Sequence, residues 1–278
     1  MKLIRDIRTY FTQELAKIYG GDEANSMAYW SMENVLGLSK SDCIMKQSES
    51  IAPEKRERFL EIVARLEKEE PIQYILGDCS FYGMHFEVNE HTLIPRPETE
   101  ELVRWVLEDK FTSLLDIGTG SGCIAISLAK HSSAQVSALD ISEEAIKVAK
   151  RNAKINGVDV SFLQADILKP LTLNKYDVIV SNPPYVLESE KEVMRSNVLK
   201  HEPHTALFVP DSNALLFYET IAEFSKSHLN KNGKLFFEIN EQKAKETQEM
   251  LQEKGFQEIE IKQDLQGKDR MVKTIWKV

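Results

Sequence analysis

The sequence predicts an α/β protein, with a mostly parallel sheet covered on both faces by helices and a small all-helical domain in front of it. Three observations predict this. From Phe111 onward, short apolar runs alternate with amphipathic helical patterns, the signature of parallel strands joined by crossover helices. Up to about residue 76 the pattern is helical throughout. A glycine-rich turn, "DIGTGSG", sits where the first buried strand should meet its helix.

In the helical part, "APEKRERFLEIVARLEKEEP" is the clearest element. Pro53 suits a first helical turn, and Phe59, Ile62, Val63 and Leu66 fall at i, i+3, i+4 and i+7. Pro71 ends it. Segments 2–18 and 22–36 are also expected to be helical, and the acidic run 67–70 to be an exposed helix end. The pattern then changes, and 77–95 reads as a linker carrying a short hairpin, Phe81 to Val88 around Gly83. The third region, 96–278, opens with a helix from Glu98 to Leu107, with Pro97 near its first turn.

The alternation follows. "TSLLDIG" is a strand, "CIAISLAKH" a helix and "AQVSALD" a strand. "SEEAIKVAKRNAKIN" is a helix with Ser142 as N-cap, two acids in its first turn and Gly157 past its end. "VSFLQAD" and "YDVIVS" are strands, Ala214 to His228 a helix and "KLFFEIN" a strand. A helix over about 241–254 and two strands, "QEIEIKQ" and "RMVKTIWKV", close the chain.

Composition narrows the function classes. Of 278 residues 42% are hydrophobic and 28% charged, as in an ordinary globular protein. No apolar run approaches the ~20 residues that span a bilayer. The opening "MKLIRDIRTYFTQEL" lacks an uninterrupted apolar core and does not read as a signal peptide. Cys43, Cys79 and Cys123 are odd in number and widely spaced, which predicts reduced thiols in the cytoplasm rather than disulfides or zinc ligands. A net charge of −9 argues against a protein that lives by gripping nucleic-acid phosphates. His201 and His204 have a proline between them and no further ligand cluster, so they read as solvated loop residues and no metal is expected.

Gly118, Gly120 and Gly122 lie between strand and helix, with Thr119 and Ser121 interleaved, where glycine lets the backbone turn sharply and a ligand approach closely. Asp140 ends the next strand about 20 residues on, where an acid can accept hydrogen bonds from ribose hydroxyls. A nicotinamide dinucleotide or S-adenosylmethionine fits such a unit. A dinucleotide fold wants G-x-G-x-x-G to seat a pyrophosphate on a helix N-terminus. Here the spacing is G-x-G-x-G, and Asp116 precedes it. An acid there suits a cationic sulfonium better than a pyrophosphate. Asp166, at the end of the third strand, is a candidate for adenine recognition.

"DVIVSNPPYV" carries the chemistry. Two prolines stop the strand after Val180 and leave a stiff shelf, Asn182-Pro183-Pro184-Tyr185, at its carboxyl end. Ligands of open α/β sheets bind there. An amide or amino nitrogen to be methylated needs acceptors for its N–H groups. The Asn182 side-chain oxygen and the Pro183 carbonyl supply two, and Tyr185 can cover a planar group by stacking. Such contacts strengthen as positive charge develops on nitrogen.

"DIGTGSG" with "SNPPY" resembles the class I S-adenosylmethionine methyltransferases that act on planar nitrogens, leaving adenine N6, guanine N2 and a protein glutamine as substrates. "PIQYILGDCSFYGMHFEVNEHTLIPRPETEELV", "HEPHTALFVPDSNALLFY" and "DLQGKDRMV" are similar to the release-factor glutamine N5-methyltransferases, the PrmC (HemK) family, from about residue 71 to the end. That resemblance implies a Rossmann-like seven-stranded sheet with one antiparallel strand near an edge. It implies methyl transfer to the Gly-Gly-Gln glutamine of class I peptide chain release factors by a monomer, with S-adenosylhomocysteine as by-product and no stable nucleic-acid partner. Carried onto this chain, it assigns Gly118 to Gly122, Asp140, Ile167 (over the adenine) and Asn182 to the cofactor, and Asn182 to Tyr185 to the glutamine amide. Region 1–76 is then expected to dock the protein substrate. Arg96 lines the entrance or pairs with Glu98 or Glu100. Asn240 stands where members usually have glycine, which leaves the local turn in doubt. The rivals are a nucleic-acid base methyltransferase on the same shelf and a non-catalytic binding module of the same fold.

Overall fold

The computed structural model describes residues 1–277 and divides into two compact units, Met1–Gly77 with Arg195–His201, and Asp78–Met194 with Glu202–Val278.

The first unit is helical. Its elements are α1 (Ile4–Tyr19), α2 (Gly21–Leu36), α3 (Lys40–Met45), α4 (Pro53–Leu66) and α5 (Ile72–Leu76). Pro53 opens α4, and Phe59, Ile62, Val63 and Leu66 are all buried, as their spacing predicts. They pack on Ile7, Phe11 and Leu15 of α1 and Met32 of α2, with Phe11 and Phe59 edge to face at 6.4 Å. The short α3 is held by a reciprocal cap: Asp42 N donates to Ser39 Oγ and Ser39 N to Asp42 Oδ2, both at 3.1 Å.

Residues 195–201, far along the chain, also belong to this unit. They carry a one-and-a-half-turn helix whose Ser196 Oγ and Lys200 Nζ donate to Glu69 at 2.5 and 2.9 Å. The run 67–70 is therefore only partly an exposed helix end. Glu69 holds the returning segment, and Glu70 pairs with Arg65.

The second unit begins with a hairpin, β1 (Cys79–Phe81) and β2 (Met84–Phe86), followed by α6 (Pro97–Leu107). The hairpin is part of this unit, not a linker: Phe81 and Phe86 are buried in its core. Then come β3 (Ser113–Ile117), α7 (Cys123–His131), β4 (Gln135–Asp140), α8 (Glu143–Asn156), β5 (Ser161–Gln164) and β6 (Tyr176–Ser181). β7 (Val186–Leu187) and β8 (Phe208–Val209) form a two-stranded parallel ribbon, and between them in chain order comes α9 (Ser196–His201), the helix of the returning segment. α10 (Leu216–His228), β9 (Leu229–Glu238), α11 (Ala244–Glu253), β10 (Gln257–Gln263) and β11 (Asp269–Trp276) complete the chain.

Seven strands form one sheet in the order β10-β11-β9-β6-β3-β4-β5. β11 is antiparallel to both neighbours and the other pairs are parallel, so the expected antiparallel strand near an edge is present. The central strands are apolar on both faces because helices cover both. Val178 and Val180 of β6 face α6 and α7, while Ile179 joins Tyr218 and Ile221 of α10. At the end remote from the site, Asp177 accepts from Thr112 N and Oγ1 and from Asn230, at 2.7 to 2.8 Å. Burial works against this carboxylate, but those donors hold its pKa down to about 2.

Three short elements, α3, α5 and α9, and the β7–β8 ribbon have too few residues to show periodicity. The last helix starts at Ala244 rather than 241, because Asn240 opens a 3₁₀ turn first. Among the described residues no helix is long and apolar enough to cross a membrane.

Candidate active site

Chain order runs from β3 outward to β5 and then returns to β6 on the other side of β3. The crevice at that switch point is where the two motif loops meet. Ser181 Oγ, ending β6, donates to Ile117 O, ending β3, at 2.6 Å, and so joins the base of the shelf to the base of the glycine loop.

Each glycine of the loop has its own reason. Gly118 and Gly120 have φ of 76° and 54°, and a Cβ at either would meet nothing within 4 Å, so their backbone faces open space. Gly122 has φ of 83°, and a Cβ there would lie 2.8 Å from Ile126 Cδ1 and 3.1 Å from Ala149 Cβ. The first two leave room for a ligand, and the third lets α7 pack against α8.

The loop is tied to the next strand end. Gly118 N and Thr119 N donate to Leu139 O at 2.9 and 3.0 Å. Asp140 Oδ2 accepts from Gly120 N at 2.8 Å and Oδ1 from Ser142 N at 2.9 Å. A carboxylate oxygen accepts more than one hydrogen bond, so both retain capacity toward a ligand. Burial raises the Asp140 pKa, opposed by these amides. Asp116 is wholly buried, its Oδ2 accepting from Thr119 Oγ1 at 2.6 Å and its Oδ1 without a partner. Burial pushes its pKa up to about 7. An under-satisfied buried carboxyl beside two open glycines fits a ligand with cationic and hydroxyl groups and opposes a diphosphate.

On the shelf, Asn182 Nδ2 donates to Thr99 Oγ1 at 3.4 Å. Tyr185 is held at both ends: its hydroxyl donates to Glu238 Oε1 at 3.1 Å, and its main-chain oxygen accepts from Asn240 Nδ2 at 3.2 Å. Burial first, and the Glu238 carboxylate next, push the Tyr185 hydroxyl far above the usual phenol range. Asn240 also accepts from Gln242 N at 2.9 Å, which answers the doubt over the missing glycine. Its side chain caps the turn after β9 and braces Tyr185 together.

Residues 6–77 match the PrmC N-terminal domain and residues 97–207 the methyltransferase small domain. A release factor glutamine methyltransferase from Flavobacterium psychrophilum is 45% identical, with 98% of this chain and 99% of that protein aligned. The chain belongs to the release factor glutamine methyltransferase family. A member from Bacteroides thetaiotaomicron is 41% identical over 96% of this chain and 98% of its own. Among solved structures, a Pyrococcus furiosus methyltransferase aligns with TM-score 0.55 at 19% identity, covering 82% of this chain and all 100% of its own. A SAM-dependent O-methyltransferase from Thermotoga maritima aligns with TM-score 0.50 at 18% identity, covering 67% and 68%. At such identities these two speak for the fold alone.

Within this family member the remaining candidates separate. The end of β5 does reach the site, since Ala165 N donates to Asp140 O at 2.9 Å. Asp166, however, uses Oδ1 to accept from Leu168 N at 3.0 Å and lies 3.5 Å from Lys169 Nζ, the behaviour of a turn residue. Ile167 is half-buried against the α10 side of the core. Arg96 pairs with buried Glu202 at 2.5 Å, and Glu202 also accepts from Ile94 N at 3.2 Å. The partners expected from local sequence, Glu98 and Glu100, are not the ones it takes. His201 is half-buried with Nε2 unpartnered, contrary to a solvated loop residue, and His204 sits edge-on to Phe208 at 5.2 Å. No group of three metal-ligating side chains occurs among the described residues.

Sequence reasoning missed Thr99, Glu238 and Asn152. Asn152 is fully buried on α8. Its Nδ2 donates to Ser121 O and Glu87 O, both at 2.9 Å, and its Oδ1 accepts from Glu87 N at 2.7 Å. One amide thus pins the glycine loop and the end of the hairpin to the same helix. An asparagine in register with Ala145, Val148 and Ala149 was the available signal. Asn152→Ala leaves three main-chain groups without this partner and is expected to destabilise the fold by about 1–3 kcal/mol, measured by urea denaturation.

Proposed function

We propose that this chain transfers a methyl group from S-adenosylmethionine to the side-chain nitrogen (N5) of the glutamine in the Gly-Gly-Gln motif of class I peptide chain release factors. Relatives of that name match nearly end to end. The observation that carries the chemical reading is the Asn182 side chain, whose nitrogen is engaged by Thr99 and whose oxygen is left to accept.

S-adenosylmethionine supplies an electrophilic methyl group. Gly118 and Gly120 would give it close access to backbone, Asp140 would accept from the ribose hydroxyls, and Asp116, hydrogen-bonded to Thr119, would hold the loop around it. Ile167 would pack over the adenine, and Asp166 beside it would take part in recognising that ring. An amide nitrogen is a poor nucleophile, because its lone pair is delocalised into the carbonyl. Asn182 Oδ1 and the Pro183 carbonyl accept its two N–H bonds and orient the lone pair toward the methyl. Pro184 stiffens that carbonyl geometry, and Tyr185, fixed at both ends, presents a rigid wall to the planar amide. As the nitrogen gains positive charge these acceptors bind it more tightly, which lowers the barrier. The N–CH3 bond would form as the S–CH3 bond breaks, S-adenosylhomocysteine would leave, and the methylated nitrogen would give up one proton to water, so that positioning, not a strong base, does the rest.

The test offers an intact release factor and duplex DNA in parallel with labelled cofactor. Mass spectrometry should place the methyl on the Gly-Gly-Gln glutamine. Label on DNA adenine with an unlabelled release factor overturns the reading. Three buried free thiols fit a reducing compartment, and we place the enzyme in the cytoplasm as a monomer without a stable nucleic-acid partner.

We further assign region 1–76 to docking of the protein substrate. Trp30 is 49% exposed and Met45 74% exposed on that unit, and a large exposed aromatic is a common anchor for a partner. Trp30→Ala is expected to lower kcat/KM on the intact release factor several-fold, about 1–2 kcal/mol, and to leave a short Gly-Gly-Gln peptide unaffected. An equal fall on both substrates would reduce the unit to a stabilising role.

A further inference from the structure

Glu238, the last residue of β9, is a fully buried carboxylate that the scheme above leaves unused. Its two oxygens each meet a hydroxyl: Thr99 Oγ1 lies 2.7 Å from Oε2, and the Tyr185 hydroxyl 3.1 Å from Oε1. Thr99, in the first turn of α6, is itself buried, and its oxygen lies 3.4 Å from Asn182 Nδ2. A chain of hydrogen bonds therefore runs Asn182–Thr99–Glu238–Tyr185 beneath the shelf.

The direction of that chain decides what Asn182 offers the substrate. A hydroxyl has one proton to donate. An ionised Glu238 can only accept, so Thr99 must spend its proton on Oε2. Its oxygen can then only accept from Asn182, which brings the NH2 end of the amide to Thr99 and leaves Oδ1 for the substrate. Were Glu238 neutral, Thr99 could accept from it and donate to Asn182. The amide would then turn over and meet the substrate NH2 with its own NH2.

We propose that Glu238 and Thr99 are positioning residues for methyl transfer, fixing the polarity of the Asn182 amide so that its oxygen faces the glutamine nitrogen. This rests on the reading that Asn182 accepts from the substrate amide. The same carboxylate holds the Tyr185 hydroxyl, so one buried charge orients both polar ends of the shelf. It also places a negative charge beneath a nitrogen that becomes positive.

The groups facing Glu238 are few. Thr99 and Tyr185 donate to it, Tyr218 donates to its main-chain oxygen at 3.3 Å, Glu98 repels it and Arg270 attracts it. Arg270 is shared with Asp264 at 3.1 Å and Glu241 at 3.5 Å. Burial raises the Glu238 pKa, and the two hydroxyls lower it again. The carboxylate form is the active one, so kcat falls as the pH drops through this raised pKa.

The experiment compares full-length Glu238→Gln, Thr99→Val, Thr99→Ser and Asn182→Ala, after circular dichroism has established folding. Glu238→Gln keeps the shape but lets an NH2 face Thr99. It should lower kcat roughly 10- to 100-fold, the scale for one preorganised polar partner, and lose the acid limb of the pH profile. Calorimetric affinity for S-adenosylmethionine should stay at the wild-type value. Thr99→Val should lose kcat to a similar extent, Thr99→Ser should recover most of it, and combining Thr99→Val with Glu238→Gln should add little, as for residues acting in one chain. Wild-type kcat in Glu238→Gln or Thr99→Val, while Asn182→Ala is strongly slowed, overturns the proposal. So does a Thr99→Ser variant as slow as Thr99→Val, since packing rather than the hydroxyl would then be at fault. Should Glu238→Gln fail to fold, the Thr99 pair decides alone. High turnover in Asn182→Ala would be a different failure, that of the substrate reading itself.

Discussion

Asn182→Ala is expected to lower kcat by on the order of 10² or more, the scale for removing a preorganised polar partner at a developing charge. The loss should appear in single-turnover methylation of an intact release factor, where product release does not intrude. Its cause is specific. Of the two acceptors proposed for the glutamine N–H bonds, the Asn182 oxygen belongs to the side chain, whereas the Pro183 carbonyl survives any substitution there. The main chain alone should retain weak activity, and the amide lost from Thr99 should leave the fold little changed, because Asn182 is only half-buried. Near-normal turnover in this variant would mean that the Pro183 carbonyl does the positioning unaided.

The second large effect concerns the cofactor. Asp140→Ala is expected to weaken S-adenosylmethionine binding by roughly 1.5–3 kcal/mol, the usual range for hydrogen bonds to a charged group. Two losses combine in it. The ribose loses an acceptor, and Gly120 N and Ser142 N lose the carboxylate that holds the loop at 2.8 and 2.9 Å. Asp140→Asn separates them: one oxygen can still serve one amide, so part of the loop's order should return while the ribose contact weakens. Titration calorimetry on both variants measures the division, and unchanged affinity in a folded Asp140→Ala protein removes Asp140 from the site.

Much of the geometry of the candidate site was legible because its parts are local. A glycine before and after Thr119 is needed for left-handed backbone within a strand-to-helix turn, whatever the rest of the chain does. Two prolines must end a ladder, so the shelf at Asn182 to Tyr185 could be placed at a strand terminus without knowing its neighbours. Asp140 could be placed because strand alternation puts successive strand ends on one edge of a parallel sheet. The helices with a full apolar stripe, such as the one carrying Phe59, Ile62, Val63 and Leu66, were readable for the same reason. Five- and six-residue helices were not, since their stability comes from packing, not from any repeat.

Arg96 marks the limit. Its sequence neighbours Glu98 and Glu100 were the natural partners, yet it binds Glu202, more than a hundred positions away. Asn152 and Glu238 were overlooked likewise, each a polar residue in an otherwise apolar pattern. A sequence shows that such a residue is anomalous, and burial makes a partner obligatory, but which partner it takes is set by the elements that surround it.

By itself, then, the sequence determined the class of fold, the glycine turn after β3 and the proline-stopped shelf after β6. Each is dictated by the conformational limits of a few adjacent residues. Only the tertiary structure decided that the strand after α10 lies beside β6, so that Glu238 comes beneath the shelf while α6 brings Thr99 to it. The polarity proposed for Asn182 rests on that meeting of three positions far apart in the chain, Thr99, Asn182 and Glu238. It could not be read earlier because the direction of a hydrogen bond depends on both partners, and these partners are joined by the sheet and not by the chain.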